Sequence, residues 1–409
     1  MSEKWIKAAF DDVVFDITSK GVKLPQSKYE ANGLIPIVDQ GQSFIAGYTN
    51  ETKGVFRDLP AIIFGDHTRA LKYADFRFFL GADGTKILKP KVANVDCKYM
   101  YFFLGAHPVP NTGYNRHYSW LKRIDVFFPQ SLSTQCHIAE VLATCDEVIA
   151  KSERAAEKYR QIKAGMLKDL LTRGIDNRGK LRPPPSVAPE LYKDSVLGPI
   201  PKEWEVKRLG DCGKFVAGNG FPLAYQGGLR GKYPFYKVSD FNRIGNERVM
   251  VMANNCINED VAEMLHCSII PKDAIVFAKI GAAIALERKR KVSSACCIDN
   301  NMMSFQVYND YEVDFVLNHL QQQKFADLIE ATALPALKTS VLKNILLPIP
   351  IDLAEQRAIA ERLAAVDERI AAEVKTAEKY RKVKAGLMEK LLTPPADAEI
   401  EDMTQEVAG

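Results

Sequence analysis

Paired cysteines are the first thing this sequence lacks. Eight cysteines are present, Cys97, Cys136, Cys145, Cys212, Cys256, Cys267, Cys296 and Cys297. None forms a C-x-x-C pair or has zinc-type spacing. They read as reduced thiols, which places the expected location in the cytoplasm, and the adjacent Cys296 and Cys297 read as part of a strand. No apolar run reaches transmembrane length, and the opening MSEKWIKAAF has no signal-peptide core, so a membrane is not an expected partner. No P-loop occurs. Gly218-Asn219-Gly220 after Phe215 resembles a nucleotide-binding turn only in its two glycines. There is no Asn/Asp-Pro-Pro-Tyr/Phe tetrapeptide, with which an amino-methylating enzyme clamps a flipped base. Pro183, Pro184 and Pro185 follow an arginine instead. Glu373-Val374-Lys375 looks like the tail of a nuclease motif but sits mid-helix without a partner acid. The six histidines are scattered, so Asp66-His67 reads as a turn carrying a contact residue rather than a catalytic pair. These gaps leave no catalytic residue, metal or cofactor to nominate.

What the chain has instead is repetition. Pro129 to Thr172 returns as Pro350 to Thr393 without a gap, Tyr159 aligning with Tyr380 at an offset of 221 (380 − 159). Ala156-Glu157-Lys158-Tyr159-Arg160 becomes Ala377-Glu378-Lys379-Tyr380-Arg381. A period this long implies one duplicated unit, a globular region followed by a helix. Apolar or small residues fall at Ile138, Leu142, Cys145, Ile149, Ala156, Tyr159 and Met166. The second copy has Ile359, Leu363, Val366, Ile370, Ala377, Tyr380 and Leu387. Steps of three and four make a coiled-coil seam. Asp352 and Glu355 read as a capping box, with Ser131 at the matching start of the first copy. Gly174 and Pro394 are stop signals. A helix of about 40 residues spans roughly 60 Å and needs a partner for its apolar stripe. The nearest partner is its own repeat. Chain order then makes the pair antiparallel and relates the two units by an approximate two-fold axis. Ser152 and Glu373 lie mid-seam, either as register-fixing polar residues or as solvated flank.

Ahead of each helix lies a globular region, 1–128 and 204–349. In the first, Leu34 to Val38, Ala61 to Phe64 and Phe76 to Leu80 read as strands and Tyr99 to Leu104 as a short buried helix. In the second, Ala274 to Ala278 reads as a strand and Asp314 to Ala326 as a helix. Trp204 to Asp211 echoes Trp5 to Asp12, and Ser340 to Ile345 matches Ser119 to Ile124 at the same offset. Elsewhere the two regions differ strongly. Residues 173–203 are proline-dense and are expected to form an extended spacer. Residues 394–409 are acidic and expected to be disordered. The expected fold class is α+β: two globular α/β domains separated by a long antiparallel two-helix coiled coil (129–172 with 350–393), pseudo-two-fold symmetric. Net charge is +4. Each globular region carries a small basic excess, and the chain from 351 onward an acidic one, which suits an anionic ligand held by the globular parts.

This arrangement resembles the DNA-specificity subunit of Type I restriction–modification systems. The strongest carriers are Leu353-Ala354-Glu355-Gln356-Arg357-Ala358-Ile359-Ala360, the Lys-Ala-Gly of both helices (Lys163 to Gly165, Lys384 to Gly386) and their Leu-Leu-Thr ends. Leu181-Arg182-Pro183, Phe277 to Gly281 and Asp299 to Met303 add support. The first helix opens as Leu132-Ser133-Thr134-Gln135, a departure from the Glu-Gln form. The resemblance implies two target-recognition domains that each read part of a split double-stranded DNA target, and helices that act as a ruler. It also implies docking of two modification (methyltransferase) subunits and, in the restricting form, of motor–nuclease subunits. S-adenosylmethionine and ATP would belong to those partners, and this chain would be no enzyme itself. The expected DNA contacts are Gln40, Arg57, His67, Arg69, Lys72, Arg116 and His117 in the first domain. In the second they are Lys279, Arg288, Lys289, Arg290, Lys291 and Lys338. The run from Arg288 to Lys291 is expected on phosphates and the loop His and Arg residues on bases. Two other readings stay open on residues alone: an enzyme with its own methyl transfer or cleavage, and a coiled-coil scaffold without a DNA role.

Overall fold

The computed structural model describes residues 3–81, 83–113, 115–329 and 335–403. The first elements are β1 (Trp5–Ala9), α1 (Phe10–Val13), β2 (Val14–Asp16), β3 (Ile35–Val38), β4 (Gly47–Thr49), β5 (Ala61–Gly65) and β6 (Leu71–Ala74). Then come β7 (Phe79–Leu80), β8 (Thr85–Pro90), α2 (Cys97–Ala106), α3 (Tyr118–Leu121), β9 (Asp125–Pro129) and the 39-residue α4 (Leu132–Leu170). The second set opens with β10 (Tyr192–Lys193), β11 (Ile200–Pro201), β12 (Trp204–Arg208), α5 (Leu209–Cys212), β13 (Gly213–Ala217), β14 (Tyr233–Tyr236), β15 (Val249–Met250), β16 (Cys256–Ile257) and α6 (Glu259–Met264). It continues with β17 (Ile275–Ala278), β18 (Lys289–Val292), β19 (Cys297–Ile298), β20 (Met302–Val307), α7 (Val313–Gln322), α8 (Thr339–Lys343) and β21 (Leu346–Pro350). The 39-residue α9 (Leu353–Leu391) and β22 (Ile400–Asp402) close the chain. The chain divides into two compact units, Met1–Ala155 with Ala372–Gly409, and Ala156–Ala371, so each long helix contributes a part to each unit.

In the first unit β5 is buried along its whole length. Alternation explains why it is apolar on both faces. Ile62 and Phe64 enter a core with Tyr99, Met100 and Phe103 of α2, Ile138 and Leu142 of α4, and Leu392. Ala61 and Ile63 enter another with Val38, Phe56, Phe78 and Ile87. The sheet order is β2-β8-β5-β6, flanked by β4-β3-β7, in which β3 and β7 are parallel. A third sheet, β22-β1-β9, overturns part of the expected disorder in the tail: Ile400 to Asp402 lie parallel to Trp5 to Lys7, and Lys4 pairs with Glu401 at 2.7 Å.

The second unit repeats this plan with other residues. Its sheets run β13-β20-β17-β18-β15 and β16-β14-β19, with β14 parallel to β19, and β12 pairs with β21 as β1 pairs with β9. Ile275 and Phe277 of β17 face a core with Phe305, Phe315 and Leu320, Leu167 and Leu170 of α4, and Ile359 and Leu363 of α9. The proline-dense segment is no free spacer. Ile175 and Ile200 are buried in that core, β10 and β11 form a hairpin, and the Tyr192 hydroxyl donates to the Pro183 carbonyl at 2.6 Å.

Both long helices form where their apolar spacing predicts, with Ile138, Leu142, Cys145, Ala156, Ile359, Leu363 and Ala377 buried. Ser152 is buried as well, which puts it in the seam rather than on a solvated flank. Asp352 caps α9 by accepting the Ala354 N–H at 2.8 Å, and Ser131 caps α4 from Thr134. Glu355 does not close a capping box. Its Oε1 accepts from Ile175 N–H at 2.9 Å and Trp204 Nε1 at 3.2 Å, and its carboxylate takes both Arg182 guanidinium nitrogens. Gly174, at φ 61°, packs against this cluster. A Cβ there would collide with Glu355 and Trp204.

Candidate nucleic-acid interface

In the first unit three separate stretches meet at the carboxyl end of β5. The chain turns through Asp66, His67 and Thr68 to Arg69, whose φ is 61°. Asp66 acts as a staple. Its carbonyl accepts the His117 N–H at 2.8 Å and ring Nδ1–H at 3.0 Å, and its Oδ1 accepts the Tyr118 N–H at 2.8 Å. Gln40, after β3, donates to the Asp83 carbonyl at 2.8 Å and accepts the His67 N–H at 3.3 Å. Gln42 donates to the Thr68 carbonyl at 3.2 Å, and Arg69 to the Val109 carbonyl at 3.4 Å. Arg116 is exposed at this edge, close enough to help lower the Asp83 pKa, although the hydrogen bond from Lys23 does most of that. Arg57 is exposed but lies elsewhere. It precedes the Ala61 end of β5, whereas His67 follows the Gly65 end, about 13 Å away along the strand.

The second unit builds the same edge from different side chains. Ile63 stands opposite Lys72 and Ile87, and Val276 opposite Arg290 and Ser304. On that register Lys279 occupies the place of Asp66. Each donates its N–H to the residue before the next strand, Gly84 at 2.7 Å or Asn301 at 2.8 Å. Each also offers its carbonyl to the segment before a short helix, to His117 at 2.8 Å or Leu337 at 2.9 Å. Half-buried Lys279 and exposed Lys338 therefore share this edge with Arg288, which precedes β18 and donates to Asn242.

Several expected contacts are corrected by this geometry. Lys72 is 4% exposed and His117 0%, the latter with Nε2 turned to Thr112. Neither has an atom to offer DNA. The run from Arg288 to Lys291 cannot line one phosphate track, because strand side chains alternate between faces. Lys289 has a fully buried side chain that donates to Glu287 and to the Gln323 carbonyl at 2.8 Å, and burial lowers its pKa despite Glu287. Lys291 pairs with Asp314 at 2.7 Å, and Arg290 donates to the Phe241 carbonyl at 2.8 Å. Gly218-Asn219-Gly220 is a packing site: Asn219 bonds His266 and Ser268, and a short 3-10 turn rather than a helix follows.

The repeat also hides joints that sequence reading missed. Gln135 and Gln356, 0% and 1% exposed, make the same bonds. Each donates to the proline that ends the preceding strand, Pro129 at 2.8 Å or Pro350 at 2.9 Å. Each accepts the N–H of the residue capping α2 or α7, Asp96 or Glu312, at 2.8 Å. In the first unit Lys384 pairs with Asp146 at 2.6 Å, and in the second Lys163 pairs with Asp367 at 2.7 Å. The two aspartates are 221 residues apart (367 − 146), as are the two lysines (384 − 163), so one interaction occurs twice with its partners exchanged. It runs the helix halves antiparallel within each unit. Identity of the glutamines, prolines, aspartates and lysines at the repeat offset was the signal for them.

No helix among the described residues is long and apolar enough to cross a membrane. The family model for the Type I restriction modification DNA specificity domain matches residues 201–379. The chain is 26% identical over 274 residues to the Type I restriction enzyme MjaVIII specificity subunit of Methanocaldococcus jannaschii, covering 64% of this chain and 60% of that protein. It is 23% identical over 359 residues to the EcoR124I/EcoR124II specificity subunit of Escherichia coli, covering 83% and 81%. The chain thus spans under two thirds of the MjaVIII subunit, and 64% of the putative MjaX specificity subunit. The crystal structure of a Type I restriction-modification S subunit from M. genitalium superposes with a TM-score of 0.66 at 17% identity, over 97% of this chain and 98% of that one, which fixes the fold. With the doubled helix and the twice-built domain, the chain is similar to Type I restriction–modification specificity subunits, and its residues 201–379 match their DNA specificity domain.

Proposed function

We propose that this chain reads an asymmetric, two-part DNA sequence and lends that choice to partner subunits that carry the chemistry. One observation carries the reading: two domains with the same strand register present unlike side chains at the same edge. Asp66, His67 and Arg116 stand in one, and Lys279, Ile280 and Lys338 in the other. Identical scaffolds with different edges suit two different half-sequences. Arg57, Arg69, Arg116, Lys279, Arg288 and Lys338 supply phosphate contacts, and Gln42 and His67 face base edges. Gln40 spends its amide on Asp83 and His67 and orients the latter. Each 39-residue helix is about 58 Å long. These helices set the unread spacer, and their outer faces dock two modification subunits and, in a restricting complex, motor–nuclease subunits. S-adenosylmethionine and ATP bind those partners.

The test is methylome sequencing of a host carrying the complex. The expected result is adenine methylation within one interrupted, asymmetric motif that disappears when this chain is deleted. A contiguous motif, or one that survives deletion, overturns the proposal. Methyl transfer by the isolated chain would overturn the division of labour.

A further inference from the structure

Each candidate reading loop is held from beneath by one cation. The Lys72 ammonium donates to the Asp39 carbonyl at 2.8 Å, with the Asp39 carboxylate 3.8 Å away. The Arg290 guanidinium donates to the Phe241 carbonyl at 2.8 Å and lies 5.2 Å over the Phe241 ring. These two side chains occupy one place in the fold. Each is the second residue of its strand, opposite Ile63 or Val276. Their acceptors lie in corresponding segments, Asp39 directly after β3 and Phe241 five residues after β14. Those strands pair in the same parallel register, Val38 with Leu80 and Tyr236 with Ile298.

Burial pushes both cations toward their neutral forms, and placing a charge there costs more than a valine would. What the cation supplies in return is a donor for a loop carbonyl that no other donor reaches among the described residues. The loops so tied carry Gln40 and Gln42 in one domain and Asn242, which anchors Arg288, in the other. We propose that Lys72 and Arg290 are positioning residues. They fix loops 39–46 and 237–248 in their reading shape without touching DNA, so that each governs one part of a two-part target. This rests on the DNA-reading function above.

The test uses the full chain assembled with its modification subunits and selection from a pool of random duplexes. Lys72→Met should erase preference in one part of the wild-type motif, by on the order of tenfold per specified base, and leave the other part intact. Arg290→Met should do the reverse. Lys72→Arg and Arg290→Lys, which keep the donor, should retain both parts. The salt dependence of binding should not change in any of the four. A slope smaller by about 0.9 would mean a lost phosphate contact and would overturn the assignment. So would equal loss in both parts, no loss at all, or a Met variant whose whole domain unfolds, since a loop tie should loosen its loop alone. A wild-type pool without any motif would sink the DNA-reading function itself.

Discussion

His319 shows how one side chain can set a pH window for a whole domain. The glutamines that bond Asp96 and Glu312 place the starts of α2 and α7 in correspondence, so His319 falls where the first domain has Phe103. Both are buried, and Nε2 of His319 has no hydrogen-bond partner among the described residues. Burial pushes its pKa down to about 4, against a weaker opposing bond to the Pro348 backbone. Unfolded, the imidazole titrates near 6.5. Between those values the unfolded chain binds a proton that the folded one refuses, so stability is lost as pH falls from about 6.5 toward 4. The full loss is about 3 kcal/mol. His319→Phe should remove that component: the urea-unfolding free energy of the wild type should fall relative to that of the variant as the buffer is taken from pH 7 to pH 4.5. A difference independent of pH would show that the imidazole is not neutral in the fold. This position, like Lys72 and Lys289, was not legible in the sequence. A lone histidine or lysine in an apolar stretch gives no sign of which pleat face it takes or what core awaits it, and that is why residue-level expectations failed where burial decided the outcome.

The elements were far more legible than the residues. Long helices announce themselves because an apolar step of three and four sustained over about 40 residues has few other solutions, and β5 and β17 stood out as short apolar runs bounded by turns. The tail did not, because Ile400-Glu401-Asp402 has no alternation longer than a single apolar residue. What orders it is the open edge of β1 and the lysines beside it, Lys4 and Lys7. Ending the chain at Thr393 should therefore raise amide exchange within Trp5 to Lys7 at least tenfold and cost the first unit about 1–3 kcal/mol, while amides of β12 keep their protection. Unchanged exchange at Trp5, whose N–H donates to Glu399 at 2.9 Å, would remove the strand from the account. The helix pair makes a different prediction. Reversing Asp146 to Lys places two cations together and should destabilise the first unit. Adding Lys384→Asp should recover the loss, with a coupling of about 0.5–1 kcal/mol in a double-mutant cycle. The same exchange at Lys163 and Asp367 should show the same coupling in the second unit. Absence of coupling in either would mean that the repeated pair is not a register device.

At the scale of the molecule, the repetition of joints matters more than the repetition of helices. Trp5 stands opposite Pro129 and Trp204 opposite Pro350. A buried glutamine ties each of those prolines to the next long helix. A domain that ends in this joint carries its own attachment, so either domain should fit either place. Replacing residues 204–349 with a second copy of residues 1–128 should therefore give a folded chain whose two reading edges are alike. If the two-fold relation expected from chain order holds, like edges meet the duplex in opposite senses, as two-fold proteins meet palindromic half-sites. The chimera assembled with modification subunits should then select an interrupted palindrome, built from the half that domain one reads in the parent motif. Selection from a random duplex pool decides the matter. A direct repeat of that half would retain two reading domains but abolish the dyad. An unchanged asymmetric motif would mean that the loops beyond β3 and β5 are not where sequence is read.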